Sequence, residues 1–236
     1  MVSNQLIKLM NFMPKGLVVY LSKKIVNHYL AKYATIHVSG QEKLKKIKEP
    51  TIFICNHLSN ADGLVLNHVL KDIDPTFVAG VKLSSNTRTN IGLNVVKSTH
   101  IKPNSADAAG LKNIIRLIKA GESILIFPEG TRSRSGQMIE AKAGITLIAN
   151  MSKAPIVPIG IYGTEKLLPI NNAGDMSAEK FHHAHVYINI GDQFECPKRD
   201  KTMDKKDYTT NTTKYLMERI SELLLEDYQG VYRSKG

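Results

Sequence analysis

Residues 51–63 read TIFICNHLSNADG, a short run of mostly β-branched apolar side chains that breaks into a polar turn and then the opening of a helix. A run without polar alternation belongs to a strand buried on both faces, as strands of parallel sheets are. Short apolar runs recur further along the chain. Segments 51–55, 76–80, 123–127, 156–162 and 185–190 are candidate strands, with helical periodicity between them. Leu111, Ile114, Ile115 and Ile118 share one face of a helix ending near Gly121, 141–151 forms a second helix, and 205–227 a third. Strands and helices in alternation predict an α/β domain with a mostly parallel central sheet flanked by helices.

Toward the N-terminus the pattern is different. Leu6, Leu9, Met10, Met13, Leu17, Tyr20, Leu21, Ile25 and Tyr29 recur three and four residues apart, interleaved with lysines and interrupted at Pro14. Residues 1–40 are therefore expected to be an amphipathic helical segment that associates with a membrane, and residues 41–236 the α/β domain. The net charge of +11 is unevenly spread: residues 1–50 hold nine lysines against Glu42 and Glu49. Such a polycation is attracted to extended phosphate arrays, either nucleic acid or an anionic lipid surface. The longest apolar stretch near the start, 17–21, is far short of the roughly 20 residues a membrane span requires, so no transmembrane helix is expected. Cys55 and Cys196 form neither a disulfide framework nor a metal motif, which fits a reducing compartment. His182, His183 and His185 cluster, but no spaced cysteine or carboxylate completes a metal site around them.

Two segments carry chemistry. His57 stands just past the first apolar run, and Asp62 follows five residues later at the helix opening. Loops at the C-terminal ends of strands are where α/β folds build their sites. An imidazole beside a carboxylate suits removal of a proton from an alcohol, because the carboxylate fixes the tautomer and stabilises the imidazolium. The second segment, SILIFPEGTRSRSG at 123–136, leaves another apolar run for a loop bearing Glu129, Gly130, Thr131, Arg132 and Arg134. Glycine permits close backbone approach, threonine offers a hydroxyl, and the arginine fork matches a phosphate.

Together, NHLSNAD at 56–62, FPEGTRSRSG at 127–136 and APIVPIGIYG at 154–163 resemble the glycerophospholipid acyltransferase family, above all its bacterial 1-acylglycerol-3-phosphate acyltransferases. The likeness covers roughly residues 38–195. It implies that His57 is the general base and Asp62 its partner, and that Glu129, Gly130, Thr131 and Arg132 form the loop that binds the acceptor's phosphate. It also implies a substrate-binding role for Lys82 in VAGVKL, the lysine that often follows the second strand, and for Lys102, which stands where the family usually has arginine. The implied reaction moves an acyl group from acyl-CoA or acyl carrier protein to the sn-2 hydroxyl of lysophosphatidate, giving phosphatidate, with no metal or organic cofactor. The expected location is the cytoplasmic face of a membrane, held peripherally through its anionic surface.

Three alternatives belong beside this reading. Glycerol 3-phosphate or another lysolipid would also present a phosphate to the loop. A non-catalytic membrane scaffold would have no need of His57, Asp62 and the EGTR loop together. Nucleic acid is not an expected partner, since zinc-finger spacing, an aromatic-rich RNA-binding strand and a recognition helix are all missing from the sequence.

Overall fold

Strand β2 (Ile52–Cys55) lies inside the sheet because all four of its side chains are apolar, and all four are fully buried. The structure, a computed structural model, describes residues 12–80, 92, 94–102, 107–171 and 178–233. Around β2 stand β1 (Ala34–Ser39), β3 (Thr76–Gly80), β4 (Ser98–Ile101), β5 (Ile124–Ile126), β6 (Ile156–Tyr162) and β7 (Ala184–Ile190), in the spatial order β1-β7-β6-β2-β5-β3-β4. Strands β6, β2, β5, β3 and β4 run parallel; β7 is antiparallel to β6 and parallel to β1. The sheet is thus mostly parallel, with one reversal.

The pleat divides β2 between two cores. Phe53 and Cys55 join Val65 and Leu66 of α2 (Ala61–Val69) and Val26 and Leu30 of α1 (Lys15–Tyr33). Ile52 and Ile54 pack with Ile114 and Ile118 of α3 (Ala108–Lys119), Ile145 and Ile148 of α4 (Gly144–Ser152), and Leu216 and Ile220 of α6 (Lys205–Ser221). Each large apolar side chain contributes about 1.5–3 kcal/mol by leaving water, so the strand that leads into His57 is firmly enclosed. The short helix α5 (Thr164–Leu167) follows β6.

Three elements differ from the sequence reading. Residues 34–39, taken as the end of the helical segment, are edge strand β1: Ala34 turns extended, and Thr35, Ile36 and Val38 are β-branched residues that suit a pleat. Strand β4 was not expected; its STHI has no apolar run to announce it. The last helix stops at Ser221 instead of 227: the ladder tightens there to bonds from the Leu223 and Leu224 amides to the Ile220 and Ser221 carbonyls, and Asn189 Nδ2 donates to the Leu223 carbonyl at 2.7 Å. The chain there crosses β6 so closely that a Cβ on Gly160 would lie 2.9 Å from Leu223 Cβ, which explains the glycine in that strand.

Helix α1 begins directly after Pro14 and turns Ser22, Val26 and Leu30 inward while Leu17 and Tyr20 stay exposed. The expected apolar residues Leu6, Leu9 and Met10, with Lys8, lie outside the described residues. No described helix is long and apolar enough to cross a membrane.

Beyond the last residue of β2, Asn56 extends the pairing with its side chain. Its Nδ2 donates to the Ile161 carbonyl at 2.8 Å and its Oδ1 accepts the Ile161 N–H at 2.9 Å, all within the interior. Asn56→Ala leaves two buried backbone groups unpaired and is expected to cost about 2–4 kcal/mol. Urea unfolding should show a lowered midpoint with an unchanged m-value; an unchanged midpoint would mean that water reaches these groups.

Candidate active site

Strands β2 and β5 are adjacent parallel partners, so the turn after Cys55 and the loop after Ile126 leave the same rim of the sheet side by side. The turn is organised by one oxygen. Asp62 Oδ2 accepts from His57 Nδ1 at 2.8 Å, from the Leu58 N–H at 2.7 Å and from the Ser59 N–H at 2.9 Å. Asp62 is fully buried and sits in the first turn of α2, where the helix dipole favours a carboxylate. Its Oδ1 is buried with no hydrogen-bond partner among the described residues.

An ionised carboxylate only accepts, so its bond places the imidazole proton on Nδ1 and leaves the Nε2 lone pair available. The His57 ring stacks on Phe127, centroids 4.2 Å apart and planes 16° from parallel, and its side chain keeps 19% exposure. A ring so held can receive a proton from a hydroxyl brought to its open edge. Cys55, two residues away, is no competing nucleophile: it is wholly enclosed, and burial raises its thiol pKa well above the ordinary value, with Asp62 and Glu129 adding to the effect.

The loop after β5 holds the backbone of His57 on both sides of its Cα. Glu129 Oε1 accepts the His57 N–H at 3.1 Å, and the Ser133 N–H donates to the His57 carbonyl at 2.8 Å. Glu129 Oε2 accepts the Ile139 N–H at 3.4 Å, and the side chain is fully buried. Glu129, expected in the loop that binds the acceptor's phosphate, turns inward and accepts from the backbone of His57. Gly130 closes the turn with φ of 70°, a conformation that favours glycine, and Thr131 is exposed beside it.

Arg132 is placed by a residue that nothing in the sequence singled out. Its Nη1 donates to Glu179 Oε1 at 2.6 Å, and Glu179 Oε2 accepts from Asn60 Nδ2 at 2.8 Å. Glu179 lies 119 positions from Asn60 and in no motif. Phe127 and Ser133 lie within the FPEGTRSRSG segment, yet their contacts to His57 leave no local signal in it. Lys102 is exposed just past β4, on the same rim as His57 but three strands from β2, roughly 14 Å of sheet at the usual spacing. Lys82 lies outside the described residues. The histidine cluster is dispersed: His185 meets His37, ring nitrogens 3.0 Å apart, and His183 packs on Tyr33. Among the described residues no group of three or more metal-ligating side chains comes together.

A family model described as Acyltransferase matches residues 35–162. A chloroplastic 1-acyl-sn-glycerol-3-phosphate acyltransferase of Brassica napus is 31% identical over 191 residues, 76% of this chain and 53% of that protein. A 1-acyl-sn-glycerol-3-phosphate acyltransferase of Borreliella burgdorferi is 27% identical over 169 residues, 71% of this chain and 67% of that protein. The chain spans about half the length of the plant relatives it matches. The crystal structure of the 1-acyl-sn-glycerophosphate acyltransferase from Thermotoga maritima has the same fold, with a TM-score of 0.63 at 21% identity, covering 91% of this chain and 85% of that one.

Burial pushes the Glu129 carboxyl up to about 8, against the lowering pull of the His57 and Ile139 amides. The folded chain therefore keeps a proton that the unfolded chain has lost. The stabilisation is whole below the ordinary carboxyl range near 4.5 and is lost as pH rises through about 8. Glu129→Gln removes this titration, so variant and wild type should differ in how stability changes between pH 5 and 8. Urea midpoints are expected to favour the variant increasingly toward pH 8, by on the order of a few kcal/mol. Parallel pH profiles would mean that Glu129 is ionised throughout.

Proposed function

Because the chain belongs to the acyltransferase family, we propose that it transfers an acyl group from the thioester of acyl-CoA or acyl carrier protein to the sn-2 hydroxyl of 1-acylglycerol 3-phosphate. The observation that carries this reading is the 2.8 Å bond between His57 Nδ1 and Asp62 Oδ2 at the end of a strand buried on both faces. His57 Nε2 takes the hydroxyl proton as the oxygen attacks the thioester carbonyl. The tetrahedral intermediate collapses, the carbon–sulfur bond breaks, and the departing thiolate recovers the proton from the imidazolium. Asp62 holds the ring and balances its charge, and Arg132 meets the acceptor's phosphate. The scheme consumes neither metal nor organic cofactor.

Removing the base is the direct test. His57→Ala is expected to lower thiol release from acyl-CoA in the presence of lysophosphatidate by about a hundredfold to ten-thousandfold, with circular dichroism unchanged. A folded variant keeping more than about a tenth of wild-type turnover would remove His57 from the mechanism.

The acceptor is itself anchored in a membrane, and α1 suits delivery to that surface. Its C-terminal half buries Val26 and Leu30, whereas its start exposes Leu17 and Tyr20, with Phe12 just before it, beside Lys15, Lys23 and Lys24. Each lysine adds up to about 1 kcal/mol near anionic lipid, and the apolar side chains add insertion below the headgroups. Since Val26 and Leu30 belong to the core, substitution is a cleaner probe than deletion of the segment. Replacing Phe12, Leu17 and Tyr20 together by serine should reduce flotation with phosphatidylglycerol vesicles, and salt should weaken wild-type binding. Equal flotation of a folded variant would place the membrane contact elsewhere.

A further inference from the structure

Glu179 takes no part in the scheme above, yet its side chain is only 1% exposed at the edge of the site. A carboxylate so withdrawn from water has to be paired. Its two partners come from the two loops: Arg132 from the loop after β5, and Asn60 from the turn between His57 and Asp62. The segment that carries it is anchored independently. Phe181 packs against Tyr29 and Tyr33 of α1, centroids 5.2 and 6.1 Å away, and the His182 N–H donates to the Leu167 carbonyl at 2.9 Å. The carboxylate is therefore set in place by the scaffold, and the guanidinium follows it.

A guanidinium offers five N–H donors in one plane, and holding one of them fixes the direction of the others. Glu179 engages Nη1, and the Arg132 side chain keeps 15% exposure. We infer that Glu179 is a positioning residue: it orients Arg132 and registers it against the His57–Asp62 turn, so that the remaining donors meet the phosphate of the acceptor. The inference rests on the reading of Arg132 as the phosphate-binding group. A different role for the same contact, a carboxylate that occupies the phosphate's place and must be displaced, has the opposite kinetic sign.

Glu179→Gln keeps the shape and removes the charge. With 1-acylglycerol 3-phosphate and acyl-CoA as substrates, the acceptor KM is expected to rise about tenfold while the donor KM stays within about twofold. In an Arg132→Ala background the same substitution should add less than about twofold, because its effect passes through the missing guanidinium. A lowered acceptor KM would mark Glu179 as a competitor of the phosphate, an unchanged one would make it a support of the fold alone, and additive effects would mean that it acts by another route; each overturns the inference. A wild-type protein that releases no thiol with this lysolipid overturns the Arg132 reading and this inference with it, an outcome distinct from an active wild type and an unaltered variant. If Glu179→Gln does not fold, Asn60→Ala loosens the carboxylate more gently. It should raise the acceptor KM about threefold with the same selectivity, and no change there is equally decisive.

Discussion

One oxygen, Asp62 Oδ2, carries the turn on which the site is built. It gathers the His57 ring and the Leu58 and Ser59 amides, three donors with no other described acceptor, at a point sealed from solvent. Two of these bonds are structural and one is chemical, and they cannot be separated. The oxygen that accepts the amides folding the turn toward α2 also accepts from the imidazole, and so sets which ring nitrogen bears the proton. Local conformation and imidazole tautomer are set by the same atom.

The remainder of the fold keeps that atom in place. Strand β2 has apolar side chains on both faces and parallel neighbours on both edges, so its C-terminal end has little freedom. Asn56 extends the constraint one residue further by pairing with Ile161. Thereafter the β5 loop takes over, with Glu129 and Ser133 holding the N–H and carbonyl of His57 itself. Precision at the imidazole is thus inherited step by step from the packed centre of the sheet, which is what a positioned base requires. The cost is a carboxyl at Glu129 held in surroundings that disfavour its charge.

Much of this was legible in the sequence where the signal is local. Strands β2, β3, β5, β6 and β7 announce themselves as apolar runs between helical patterns, and the His57–Asp62 contact spans only five residues across one turn. Strand β1 was concealed because its ATIHVS follows a helix without a proline or glycine to separate them. The inward turn of Glu129 was not legible because its partners are backbone amides, which every residue possesses and no side-chain pattern reveals. Glu179 was out of reach for a related reason: its partners, Asn60 and Arg132, come from segments far apart in the chain, and only the tertiary fold brings them together.

The double hold on the His57 peptide has a corollary for how such a chain can vary in length. Glu129 and Ser133 hold the N–H and the carbonyl of one residue, so the stretch between them behaves as a calibrated spacer whose length is matched to the width of a single residue in the turn after β2. One residue more or fewer would let one grip close only by releasing the other, and would shift the Arg132 side chain relative to the ring. A change of length within 129–133 is therefore expected to reach the imidazole, whereas one in a connection outside it leaves both contacts to His57 in place.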